Sequence, residues 1–189
     1  MKIIDSFYHI YNRGAHKADI FLDRLDYERM LKLLYIANND LAFELSHLPE
    51  NIFALEKEKP IVDILAYCLM PNHIHLALRP RHEYGEKGIT KFIRKLATGY
   101  SNYFNVKYDH SGTIWQGTYK KKFVGDEGYA KTLINYIHLN PFGIEEPLLT
   151  KEARREQLER AVKSSTEYEY SSLRDYLGIR RVQSSIIEA

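Results

Sequence analysis

Two histidines separated by a single residue, His73 and His75, stand in the run Met70-Pro71-Asn72-His73-Ile74-His75-Leu76-Ala77-Leu78. Side chains alternate between faces along an extended strand, so two imidazoles at this spacing point the same way. Two neutral ring nitrogens can share one metal ion and leave coordination positions open to polarise a substrate oxygen. The same spacing also suits half-buried strand histidines that hydrogen-bond their neighbours, and the pair alone does not separate these readings. Further along, Tyr136 and Asn140 lie four apart in a helical pattern, which projects them from nearly the same side of a helix. By themselves they suit a boundary aromatic with a wet hydroxyl and a helix C-cap before Pro141.

The elements that must position these groups follow from periodicity. Phe7 to Tyr11 alternates and ends at the turn signal Asn12-Arg13-Gly14, which predicts a first strand. Asp26 is the expected N-cap of a helix in which Tyr27, Met30, Leu31 and Leu34 form the apolar stripe. Residues 40–60, broken by Pro49 and Pro60, read as an irregular insertion. The apolar run from Ile61 to Leu69, followed by Pro71-Asn72 and the histidine strand, predicts an antiparallel hairpin.

Ile89, Phe92, Ile93, Leu96, Tyr100, Tyr103 and Phe104 recur at helical spacing and predict a second helix. Thr118 to Val124 alternates as a fourth strand. Asp126 caps a third helix from about Glu127 to Leu139 that stops at Pro141, with Ala130, Ile134 and Ile137 as its core stripe. The order β-α-β-β-α-β-α makes the fold class α+β, a ferredoxin-like (RRM-like) antiparallel sheet with helices packed on it. A domain over residues 1–147 is expected, with a C-terminal extension over 148–189 that contains a charged helix from Lys151 to Lys163 and returns to aromatics from Tyr168 to Gly178.

The chain has 189 residues, 44% apolar and 28% charged, enough for one domain with a full core and not a disordered composition. Its single cysteine, Cys68, cannot form an intrachain disulfide. Neither a secretory signal nor a long apolar span is visible, so a cytoplasmic protein without a membrane partner is expected. Net charge is only +2, but between Lys91 and Lys122 seven basic residues oppose a single acid, Asp109. Tyr100, Tyr103, Phe104, Tyr108, Trp115 and Tyr119 are interleaved with them, a mixture that suits either a nucleic-acid surface or a solvated helix face over core aromatics.

Across most of its length the chain resembles the single-tyrosine HUH transposases, particularly the REP-associated tyrosine transposases. The matching pieces are Tyr8-His9-Ile10-Tyr11-Asn12-Arg13-Gly14, Met70-Pro71-Asn72-His73-Ile74-His75, Ser111-Gly112-Thr113-Ile114-Trp115-Gln116-Gly117 and Tyr136-Ile137-His138-Leu139-Asn140-Pro141. Tyr170 to Gly178 is similar to that group's tail. The long insertion at 40–60 and the Lys120-Lys121-Lys122 run depart from the pattern without touching these motifs.

This resemblance implies that His73 and His75 hold a divalent cation, Mg2+ or Mn2+, with Asn140 as third ligand and Tyr136 as nucleophile. Imidazole and amide donors are unusual for Mg2+, which keeps Mn2+ beside it. A free phenol with a pKa near ~10 is a poor nucleophile at neutral pH, so the site has to favour phenolate and stabilise charge on phosphate. The implied product is a 5′-phosphotyrosine with a free 3′-OH, which another 3′-OH can resolve without ATP. The implied partner is single-stranded DNA with a hairpin. Arg94, Lys95, Lys120 and Lys122 are expected at phosphates, Asn12 and Arg13 as further DNA contacts, and Trp115 either stacking on a base or sealing the core. His138 is expected at the surface or behind the site, and His9 in a solvent-facing or locally bonded role. Monomer and homodimer stay open. Two other readings stand beside this one: a metal hydrolase in which water attacks, and a transposase that grips hairpins but no longer cuts.

Overall fold

The computed structural model describes residues 6–41, 49, 51–142, 162–164 and 166–187. Four strands, β1 (Phe7–Arg13), β2 (Val62–Met70), β3 (His73–Pro80) and β4 (Lys120–Val124), form one sheet in the order β2-β3-β1-β4. Each neighbouring pair is antiparallel. Helices α1 (Arg24–Ile36), α2 (Gly85–Lys107) and α3 (Glu127–Leu139) complete the expected order, the α+β, ferredoxin-like arrangement read from the sequence. Among the described residues no helix is long and apolar enough to cross a membrane.

Strand parity divides the sheet into two faces. Ile10, Ile64, Leu76 and Leu78 turn towards α1 and α2, where they pack with Met30, Leu34, Phe92, Leu96 and Tyr100. Phe7, Ala66, Cys68, Ala77 and Val124 turn the other way, under Ala130, Leu133 and Ile137 of α3. Leu133 supplies the buried contact expected of Ile134, which is only half-buried. Because His73 and His75 share the parity of Ala77, this second face is theirs.

The first helix starts three residues earlier than expected. Asp23, not Asp26, is its N-cap, and the two aspartates form a reciprocal capping box. Asp26 also receives hydrogen bonds from Tyr103, Lys107 and Tyr108, which explains how a carboxylate tolerates full burial. The described part of the 40–60 insertion holds a 3-10 turn, Ile52–Ala54, pinned to α1 by Tyr35 and the Leu55 carbonyl.

The β2 edge is covered by the tail. Leu69 and Ser172 amides donate to the Tyr170 and Tyr67 carbonyls, and Cys68 bridges to Ser171. A short helix, α4 (Leu173–Tyr176), follows. Arg181 then binds Asp175 at 2.7 Å and the Tyr67 hydroxyl at 2.8 Å. The boundary expected near residue 147, and most of the charged helix expected over 151–163, lie outside the described residues.

Candidate functional site

β3 delivers both histidines to the same face because its register against β1 sets Tyr11 opposite His75 and Arg13 opposite His73. On the same face β1 contributes His9 and β4 contributes Lys120 and Lys122. α3 crosses this face and brings Tyr136, with Asn140 continuing its last turn. The result is an open cleft of about 960 Å3 between sheet and helix.

Within it the phenol ring of Tyr136 meets the His75 ring edge-on, with centroids 5.6 Å apart and planes at 89°. His73 and His75 are likewise edge-on at 5.2 Å. His73 Nε2 lies 3.2 Å from Asn140 Oδ1. Neighbouring ligands at right angles around an ion with bonds of about 2.1 Å stand about 3 Å apart, so this spacing fits two groups sharing one cation. Among the described residues no set of three His, Cys, Asp or Glu side chains is arranged to hold a metal. Two imidazoles and an amide oxygen line the cleft as candidate donors.

Burial keeps the imidazoles neutral, the form a metal requires. Loss of solvent pushes His75 down to about 3, with the charges of His9 and His73 adding to it. His9 falls to about 4 through burial and the nearby Lys122. His73 is lowered for the same first reason, against a raising contribution from its Asn140 contact. Tyr136 is 38% exposed and lines the cleft.

The expected DNA contacts divide by location. Arg13, Lys120 and Lys122 line the cleft, Lys122 bonding the Tyr129 hydroxyl at 2.8 Å. Asn12 reaches the cleft but spends its amide on the Gly117 carbonyl, tying β1 to the loop before β4. Arg94 is exposed on α2, which packs on the opposite face of the sheet. Lys95 stands apart from the cleft: its ammonium binds the Asn39 and Leu41 carbonyls in the bends that follow α1, on the opposite face of the sheet. Of the two places open to Trp115, the structure shows the core: it is 6% exposed, with its ring 6.1 Å from Tyr100.

Four residues were not placed at the site by the sequence. His9 sits beneath His75, its Nε2 2.7 Å from His75 Nδ1, and Tyr11 stacks 5.7 Å from the His75 ring. Gln116 and Tyr129 also line the cleft. His9 and Tyr11 carried a signal, since strand parity gives them one face and ferredoxin-like topology sets β1 beside β3. His138 is buried against the tail, with Nε2 2.8 Å from Ser172 Oγ.

The family model of IS200-like transposases matches residues 36–140, from the end of α1 through both histidines to Tyr136 and Asn140. The chain belongs to the IS200-like transposase family. The transposase is also similar in fold to a REP-associated tyrosine transposase bound to a REP hairpin, with a TM-score of 0.51 and 12% identity over 97% of this chain and 87% of that one. A crystal structure from Deinococcus radiodurans R1, provisionally described as a transposase, gives a TM-score of 0.43 and 16% identity over 71% of this chain and 89% of that one. Among curated proteins no match was found.

Proposed function

We propose that this transposase cuts and rejoins single-stranded DNA next to a hairpin, through a covalent bond between Tyr136 and a 5′ phosphate, with a divalent cation held by His73, His75 and Asn140. The observation that carries the reading is the convergence, within one chain, of the Tyr136 phenol, the two neutral imidazoles and the Asn140 amide on one cleft with cationic walls. One protomer then completes its own site.

Arg13, Lys120 and Lys122 draw the phosphate backbone into the cleft, an attraction that weakens with salt. The edge-on packing against His75 fixes the Tyr136 ring, so its hydroxyl is presented to a phosphate lying over the histidines. A bound Mg2+ or Mn2+ supplies Lewis-acid stabilisation of charge on the phosphate. The Tyr136 oxygen attacks phosphorus, the bond to the 3′ oxygen breaks, and that oxygen leaves as a 3′-OH after taking a proton. Because one phosphodiester is exchanged for another, a different 3′-OH can reverse the step and join strands.

The test is incubation with hairpin-bearing single strands from the flanks of the gene, with Mn2+ or EDTA. The wild type is expected to form a protein–DNA adduct that survives denaturation, and Tyr136→Phe to bind hairpin but form none. Cleavage that persists in Tyr136→Phe would replace this reading by the hydrolase. Tight hairpin binding without metal-stimulated cleavage would replace it by the binding module.

A further inference from the structure

The turn between β2 and β3 holds Asn72, whose amide has two different ends. Its Nδ2 donates to the Lys17 carbonyl at 3.3 Å, and its Oδ1 lies 2.6 Å from His73 Nδ1. Turning the amide over would set two carbonyl oxygens against each other at Lys17, so the acceptor end belongs at His73.

The Lys17 carbonyl cannot readily move away. His16 and Lys17 have φ of 54° and 64°, a left-handed pair held by two bonds to the same turn, Gly14 N to Asn72 O at 2.8 Å and Ile20 N to Pro71 O at 2.7 Å. A Cβ at Gly14 would sit 2.1 Å from the Ala18 carbonyl, so this loop path requires glycine there. With an acceptor fixed opposite Nδ1, His73 carries its proton on Nδ1 and its lone pair on Nε2, the nitrogen that faces Asn140.

His75 is bonded on its own side to a second imidazole, which can donate or accept. Its Nδ1 lies 2.7 Å from His9 Nε2 in a buried contact between nearly parallel rings, 5.0 Å apart at 17°. One proton serves that bond. When His75 holds it, His9 accepts and the His75 Nε2 lone pair is left for the cleft.

We propose that Asn72 and His9 are positioning residues that lock His73 and His75 in the Nδ1–H tautomer, so that both Nε2 lone pairs face one cation position. The inference rests on reading the cleft as a cation site, because that reading decides which ring of the His9–His75 pair donates. At His73, whose Nδ1 meets a fixed acceptor, neither tautomer nor aim is lost when the ion is absent. The Asn140 amide, placed at the end of α3, can turn either its NH2 or its oxygen towards His73 Nε2, which lets the pocket close on itself without metal.

Tautomers can be read without any ion. Long-range 1H–15N spectra of the full chain with labelled histidine, in EDTA and mildly alkaline buffer, are expected to show protonated Nδ1 and bare Nε2 at His73 and His75. Asn72→Leu should move His73 alone, and His9→Phe His75 alone, towards Nε2–H. A wild-type Nε2–H signal at either histidine, or tautomers unmoved by these variants, would overturn the proposal. As a second readout, Mn2+ titration followed by electron paramagnetic resonance should weaken about 10- to 100-fold in Asn72→Leu and His9→Phe. Asn72→Asp, which keeps the acceptor at His73 but sets its second oxygen against the Lys17 carbonyl, should retain more Mn2+ affinity than Asn72→Leu; equal loss in Asp and Leu variants would count against the clamp. Nδ1–H tautomers in a wild type that binds no Mn2+ would support the clamp and defeat the cation reading.

Discussion

His138 Nε2 and Ser172 Oγ lie 2.8 Å apart in a buried seam, and that seam ties the helix bearing Tyr136 to the sheet of its own chain. Ser172 Oγ also accepts from the Tyr67 amide at 2.9 Å and donates to the Tyr67 carbonyl at 3.3 Å. One hydroxyl thus joins α3 to the β2 edge. In the proposed mechanism a helix held in this way serves the histidines beneath it. A mixture of Tyr136→Phe and His75→Ala proteins is therefore expected to form no DNA adduct, since each protomer lacks one half of its own site. Recovery of adduct in the mixture, assayed on denaturing gels, would mean that the tyrosine works on a partner's site.

Replacing Ser172 by alanine leaves the buried Tyr67 amide and the His138 ring without their common partner. Each unsatisfied buried polar group costs about 1–3 kcal/mol, so the urea midpoint should fall clearly with an unchanged slope. Adduct formation should slow as well, because α3 loses an anchor two residues from Tyr136. Unaltered urea stability would remove the seam from the account of how the tyrosine is held.

Acid should destabilise the fold through its buried imidazoles. Burial pushes His138 down to about 4 and His9 to about 4, with His75 at about 3, whereas an unfolded histidine titrates near 6.5. Between these values the unfolded chain binds more protons, so the stability these groups contribute is complete above about 6.5 and is lost as pH falls through the folded values. Each contributes at most about 1.4 kcal/mol per pH unit in that window. Denaturation in EDTA should therefore show stability declining from neutral pH towards pH 4, more shallowly in His138→Gln. A profile that is flat over that range would contradict neutral burial.

Much of this geometry was legible before any coordinates. The alternation around His73-Ile74-His75 gave the shared face, and Asp126 with Pro141 gave α3 within a residue. Strand parity also carried the His9 contact, but reading it needed the β1–β3 register, a non-local fact. What the basic stretch could not tell by itself was which face each of its cations and rings would take. Lys95 and Trp115 lie within the same charged and aromatic run as Lys120 and Lys122, yet a helix and a turn send them to the opposite side of the sheet. Composition records that cations and rings are present; only tertiary placement decides whether a cation meets phosphate or a loop carbonyl. The Asp23–Asp26 capping box was missed for a simpler reason, since either aspartate alone makes an acceptable N-cap.

Salt dependence separates the cleft cations from the structural one. A lysine or arginine on a phosphate of a single strand releases counterions, and its loss should lower the slope of log affinity against log salt by about 0.7. Arg13→Ala, Lys120→Ala and Lys122→Ala are each expected to show such a reduction in hairpin-strand binding, measured by fluorescence anisotropy across a salt series. Lys95→Ala should leave the slope unchanged, because its ammonium faces the Asn39 and Leu41 carbonyls beyond α1, and should instead lower thermal stability. The reverse pattern, with Lys95 carrying slope and the cleft residues none, would mean that DNA lies over α1 and α2, away from Tyr136, and the phosphate path drawn through the histidine cleft would have to be abandoned.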